Sequence, residues 1–167
     1  MEILVAMSIF LTVVTIASAY FVSAVVAQRQ VLVVRPMADE VSFLAEYISR
    51  ALRPAQKSAG TCDVPAESYY ELTHGGAGVK FIDRDGRCRE IFAEDGFLRE
   101  TIDGATANLT SSSISVAAAA FEVLDAESGT IRHPRVTVSL AFEATSGASV
   151  YTLQWQTTIS QRDFRNL

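Results

Sequence analysis

From Ile3 to Gln28 the chain carries no charged residue at all. The 25 positions Ile3–Ala27 are dominated by Val, Ile, Ala, Phe and Leu. As a helix they reach about 38 Å at about 1.5 Å per residue, which exceeds the ~30 Å hydrocarbon core of a bilayer. Ser8, Thr12, Thr15, Ser18 and Ser23 interrupt the composition but not the helix, because a hydroxyl can bond back to a carbonyl one turn earlier. The small residues Ala17, Ala19 and Ala24 allow another helix to approach closely. A cleaved secretory signal would have a basic start and a shorter apolar core, and Ala17-Ser18-Ala19 is a weak cleavage pattern. A buried core helix would need covering on every side, which so short a chain cannot supply. A helix resident in the membrane and still attached to the rest of the chain is the favoured reading.

Glu2 is the only charge before Arg29, so 32 of the 33 charged residues belong to the remainder. That contrast reconciles a mean hydropathy of +0.22 with 20% charged residues in 167. A plain cytosolic globule, a disordered chain and a multi-span membrane protein are all excluded by it. An acidic head also lacks the positive field that phosphate binding requires, so nucleic acid is not expected as the main partner. One water-soluble domain of ordinary size fits the remaining length.

After Val31-Leu32-Val33-Val34 and Pro36, apolar residues recur at Met37, Val41, Leu44, Ile48 and Ala51/Leu52. Steps of three and four mark a helix with one apolar side. Asp39, Glu40, Glu46, Arg50 and Arg53 fill the intervening positions, and Pro54 with Gly60 ends the pattern. Pro36 should bend the helix, since its ring removes a hydrogen bond and crowds the preceding turn. The expected organisation is residues 1–28 as the membrane or filament-core half of the helix, 29–53 as its amphipathic half, and 54–167 as a β-rich head.

The head shows its strands most clearly near the end. Val136, Val138, Leu140 and Phe142 alternate with Thr137, Ser139, Ala141 and Glu143. Beyond Ser146-Gly147-Ala148, Tyr151, Leu153, Trp155, Thr157 and Ile159 alternate with polar neighbours. This period of two predicts an antiparallel hairpin with one apolar face, placed to cover the stripe from Met37 to Leu52. Upstream, Val79–Ile82 and Cys88–Phe92 flank the turn Asp83-Arg84-Asp85-Gly86, and Glu94-Asp95-Gly96 precedes Phe97-Leu98-Arg99. Ile114 and Val116 set a phase that Phe121 and Val123 break, which predicts a bulge or two strands. The fold class is α+β: a long kinked N-terminal helix packed on an antiparallel meander.

The opening Met1-Glu2-Ile3-Leu4-Val5-Ala6-Met7-Ser8-Ile9-Phe10 resembles the start of a type IV pilin or pseudopilin, whose mature chains carry one Glu ahead of such an apolar run. The resemblance is specific over about the first 28 residues and architectural beyond them, with a weaker likeness to the minor, J-like pseudopilins. It implies a structural subunit of a type IV pilus or type II secretion-like filament, stored in the cytoplasmic membrane by a single pass with an extracytoplasmic head. The implied partners are the membrane and other pilin or pseudopilin subunits, met through the N-terminal helix, with a prepilin peptidase acting on the precursor. The family's precursor has a basic leader ending in Gly, cleaved before an aromatic residue that is then N-methylated; here Met1 stands directly before Glu2. Glu2 is implied to set axial register by attracting the amino terminus of a neighbouring subunit. The plainer alternative is a carboxylate near the headgroups, favoured by the helix N-terminal dipole. Arg29 and Arg35 alone would favour a cytoplasmic head, and the family architecture implies the opposite side. The competing function is a single-pass, membrane-anchored extracytoplasmic binding domain.

Cys62 and Cys88 sit in a head that the resemblance places outside the cytoplasm, where pairing is the default; two separate buried thiols are the alternative. His74 and His133 have no metal-like spacing and read as loop residues. Gly75-Gly76-Ala77-Gly78 lacks the Lys-Ser/Thr of a phosphate loop and reads as a flexible turn. Asp83 and Asp85 begin like a calcium loop, but the later ligands and the closing Glu are missing, so a hairpin turn is the simpler reading. Asn108-Leu109-Thr110 fits a glycosylation sequon, and Thr110 with Ser111–Ser113 fits equally well a polar connection between strands. No nucleophile stands with a base, so neither catalysis, a cofactor nor a bound metal is expected.

Overall fold

The computed structural model describes residues 2–124, 134–147 and 149–161. One helix, α1 (Glu2–Leu52), precedes eight strands: β1 (Tyr70–Thr73), β2 (Gly78–Ile82), β3 (Cys88–Glu94), β4 (Phe97–Ile102), β5 (Ala105–Asn108), β6 (Ser115–Leu124), β7 (Arg135–Ser146) and β8 (Ser149–Ser160). The chain divides into two compact units between Pro36 and Met37. The helical assignment continues through Pro36, so the division falls at the residue that cannot donate to the helical ladder.

In the first unit the apolar side chains of α1 are exposed all round, as at Ile3 (77%), Phe10 (67%) and Ile16 (70%). In the second unit the helix has an inside. Met37, Val41, Leu44, Ile48, Ala51 and Leu52 are all buried, and the charged residues between them are not. Three- and four-residue spacing brings those six onto one stripe, which is why they go under together.

The head holds two sheets rather than the one meander expected. Strands β1 to β5 form a five-stranded sheet in chain order, and β6 to β8 form a three-stranded one. All neighbouring strands are antiparallel. Short turns make this order possible. Asp95-Gly96 joins β3 to β4 and Asp103-Gly104 joins β4 to β5, with positive φ at both residues of each pair. That conformation matches the twist of flanking strands, and Asp-Gly adopts it readily. The phase break in β6 is a bulge: the register with β7 shifts between Val116 and Ala118. Val116 N–H donates to the Gly96 carbonyl at 2.8 Å, which fixes β6 beside the β3–β4 turn.

Val79, Phe81, Ile91 and Leu98 from the larger sheet are fully buried, as are Val136, Val138 and Phe142 from the smaller. The soluble half of the helix makes polar contacts to the five-stranded sheet. The Tyr47 hydroxyl donates to Glu100 at 2.6 Å, and Arg89 donates through Nε to the same carboxylate at 3.0 Å. Arg89 also lies over the Tyr47 ring at 5.8 Å and the Phe81 ring at 5.9 Å. Tyr70 donates to the Leu52 carbonyl at 2.8 Å, satisfying an acceptor at the helix end.

Because the buried stripe begins at Met37, a chain beginning at Gln28 keeps every core residue. It should be soluble without detergent and unfold in one cooperative transition in urea, followed by circular dichroism. An insoluble product, or a gradual loss of signal, would contradict the division.

Candidate functional site

Two places in the chain carry the sequence-derived functional residues. Glu2 opens α1, and its carboxylate is exposed in the first turn. The surface behind it is predominantly apolar, because four of the interrupting hydroxyls turn inward on their own helix. Ser8 Oγ donates to Val5 O at 2.8 Å, Thr15 Oγ1 to Leu11 O at 2.7 Å, and Ser23 Oγ to Ala19 O at 3.1 Å. Thr12 Oγ1 donates to Ile9 O at 2.7 Å. Bonded this way, hydroxyls cost little in hydrocarbon. This is one helix long and apolar enough to cross a membrane. What it can do chemically is insert into lipid or bundle with other apolar helices.

The second place is the connection from α1 to β1, residues 53–69. Cys62 lies within it and Cys88 begins β3; the two are bonded, with Cα atoms 5.6 Å apart. Cys62 and Asp63 both take positive φ (63° and 54°), a conformation uncommon for residues other than glycine. The bond holds the first, and an ion pair from Lys80 to Asp63 at 2.8 Å holds the second. That ion pair lowers the Asp63 carboxyl below its ordinary range, first through the Lys80 hydrogen bond and then through its charge. The buried Ser58 organises the same segment by donating to Val64 O at 2.9 Å and accepting from Gly60 N–H at 3.0 Å.

The turn at Asp83 is built around its own side chain. Asp83 Oδ1 accepts from the N–H groups of Asp85 and Arg87, each at 2.9 Å, and Oδ2 accepts from Arg87 Nε at 3.0 Å. Both oxygens are committed, so Asp83 is the cap of a hairpin turn and not an open cation ligand. Burial opposes ionisation of this carboxyl. The Arg87 backbone and guanidinium, with the Asp85 N–H, outweigh that and hold it below the ordinary 3.8. Among the described residues no three His, Cys, Asp or Glu side chains gather as metal ligands.

His74 occupies a 3-10 turn (His74–Gly76) between β1 and β2. Its ring stacks on Phe92 with centroids 4.3 Å apart, and its Nδ1 lies 3.3 Å from Glu90. Gly78 is required beneath this stack, since a Cβ would come within 2.7 Å of Phe92 Cβ. His133 lies outside the described residues. In the sequon, Asn108 is exposed on β5, whereas Thr110 is buried and accepts the Leu98 N–H at 3.1 Å. Ser111 donates twice to Glu40 of α1, at 2.7 and 2.8 Å. The polar run therefore serves as a connection bolted to the helix.

The Arg89–Glu100–Tyr47 group went unseen in the sequence because Arg and Glu in a strand read as solvent-facing. The available signal was phase: Arg89 shares a strand face with Ile91, and Glu100 with Leu98. Comparison with protein-family models, curated proteins and solved structures finds no match to this chain. The functional reading therefore rests on the helix, the head and their chemistry.

Two outcomes are expected of the head. Replacing both cysteines (Cys62→Ser with Cys88→Ser) frees a loop closed over a separation of 26 residues. This should cost about 3 kcal/mol in denaturant titration, and the wild-type protein should take up no alkylating agent until reduced. Asp83→Asn keeps one acceptor but loses the charge that Arg87 faces, at a cost of about 1–3 kcal/mol at neutral pH. Because the folded carboxyl titrates below 3.8, this stabilisation is complete above that value and disappears as pH falls through the lower, folded one. The gap between wild type and variant should accordingly close in acid, as measured by urea unfolding across pH.

Proposed function

We propose that this chain is a pilin-like structural subunit, a minor pilin or pseudopilin, held in the membrane by its N-terminal helix until it packs into a filament. The observation that carries this reading is the run Ile3–Ala27 of α1, an apolar surface exposed all round behind a single carboxylate at Glu2. Such a surface is stable in lipid, and it is equally stable in the core of a helical bundle. A subunit that passes from one to the other exchanges one apolar environment for another at little cost.

Glu2 supplies what apolar packing lacks. Side-chain contacts along a uniform helix leave its axial position weakly defined, and a charge in hydrocarbon is costly until it meets an opposite charge. A neighbouring amino terminus is such a partner, and reaching it selects one stagger between adjacent helices. The head then forms the outer surface of the assembly, a structural role rather than a catalytic one.

Glu2→Ala should lower incorporation into filaments about tenfold or more, given the cost of a lost charge partner in a dry site. The head's denaturant midpoint should not move. Quantifying sheared filament against membrane-retained protein measures this. Wild-type incorporation of the variant would overturn the register role. A chain that never leaves the membrane fraction under any condition would favour an anchored binding domain instead.

A further inference from the structure

Strand β8 is the outer strand of the three-stranded sheet, paired with β7 on one side and, among the described residues, with no strand on the other. Twelve residues make an edge of about 40 Å at about 3.3 Å each. Soluble proteins guard long edges with Lys, Pro, bulges or very short strands, because unpaired N–H and C=O groups recruit another strand. Ser149–Ser160 has none of these guards. It contains no charge, no Pro and no Gly, and its register with β7 is unbroken from end to end.

Burial shows where the core stops. On β7 the inward Val136, Val138, Leu140 and Phe142 are buried, whereas on β8 the neighbouring Tyr151, Leu153, Trp155 and Thr157 are only half-buried. Only at Ile159 does the inward row of β8 go fully under. An apolar, aromatic row is thus half covered beside an unpaired edge.

The order of residues on that row is symmetric about Leu153. Tyr151 and Trp155 lie two positions to either side of it on that face, and the polar Thr152 and Gln154 lie one position to either side on the opposite face. An antiparallel copy centred on Leu153 sets Tyr151 opposite Trp155 of the second copy, twice, with both rows on the same face. Cross-strand aromatic pairs of this kind are favourable. Charge points the same way. The chain is acidic at −5, so most contacts between two copies bring like charges together, and the neutral β8 does not.

We propose that the heads of two copies of this chain pair through β8, antiparallel and centred on Leu153, to give one continuous sheet. The contact is isologous and closes at two copies, so it differs in kind from the open-ended packing of a filament and does not rest on the filament reading. Thr152 of one copy then faces Gln154 of the other on the outer surface.

The test uses the full chain in detergent, where the two native cysteines are bonded to each other and an introduced thiol is the only free one. Leu153→Cys should become a disulfide-linked dimer under mild oxidation, while Thr137→Cys, on the central strand β7, should stay monomeric. In the Leu153→Cys background, Thr152→Lys with Gln154→Lys should abolish the cross-link. Thr152→Lys with Gln154→Glu should keep it, because each new charge then meets its opposite across the pair. Both double variants alter the same two exposed positions, so a general folding defect would affect them alike. Equal cross-linking at Leu153→Cys and Thr137→Cys, no cross-link at Leu153→Cys, or the same outcome in both double variants would overturn the proposal.

Discussion

The helix α1 has to be stable in two solvents along one continuous helical backbone. From Ile3 to Ala27 its side chains demand apolar surroundings on every side, and among the described residues of that unit none provides them. From Met37 onward the same backbone exposes charge on one side and buries an unbroken stripe on the other. Hydrophobic burial is worth about 25 cal/mol per Å², so a dozen exposed Ile, Val, Leu and Phe side chains represent tens of kcal/mol that water would withhold. Where this chain can reside is decided by that term before any specific contact is considered.

The head has to fold with its own resources, and it does so by committing polar groups to its own backbone. Asp83 caps its turn, Thr110 supports Leu98, Ser58 nests residues 60–64, and Glu40 of α1 anchors Ser111. Among the described residues no buried side-chain polar atom lacks a partner. The Arg89–Glu100 pair is the most exposed to risk, since both groups are largely removed from water. Removing either alone leaves the other uncompensated, typically a loss of about 3–5 kcal/mol. Tyr47 bonds to both, so the group also fixes the rotation of the soluble half of α1 against β3 and β4.

What the sequence disclosed depends on which physical signals are periodic. The stripe from Met37 to Leu52 and the alternation in β7 and β8 repeat over ten residues or more, and both were legible. Strands β1 and β5 were not, because four residues such as Ala105–Asn108 carry no alternation that could be told from a loop. The Asp103-Gly104 turn was a readable clue to β5 that the weak strand obscured. The second sheet was missed for a different reason: separation into two sheets depends on which edges pair, and pairing leaves no trace in hydropathy. The burial of Asp83, Glu100 and Arg89 was not legible because it depends on their partners in the folded chain.

Charge placement ties the parts together through association. An acidic head keeps copies apart in water through long-range repulsion, which a Debye length of about 8 Å confines to close approach under physiological salt. Within that distance association needs patches that carry no net charge. The apolar run of α1 and the neutral strand β8 are patches of this kind, and they differ in what they can specify. The helix surface offers strong but nearly uniform attraction, so apolar packing alone leaves axial register weakly defined. The strand offers weaker attraction with a fixed period, because a shift of one residue would turn Tyr151, Leu153 and Trp155 to the wrong face. Strength therefore lies where geometry is loose, and definition lies where the attraction is modest.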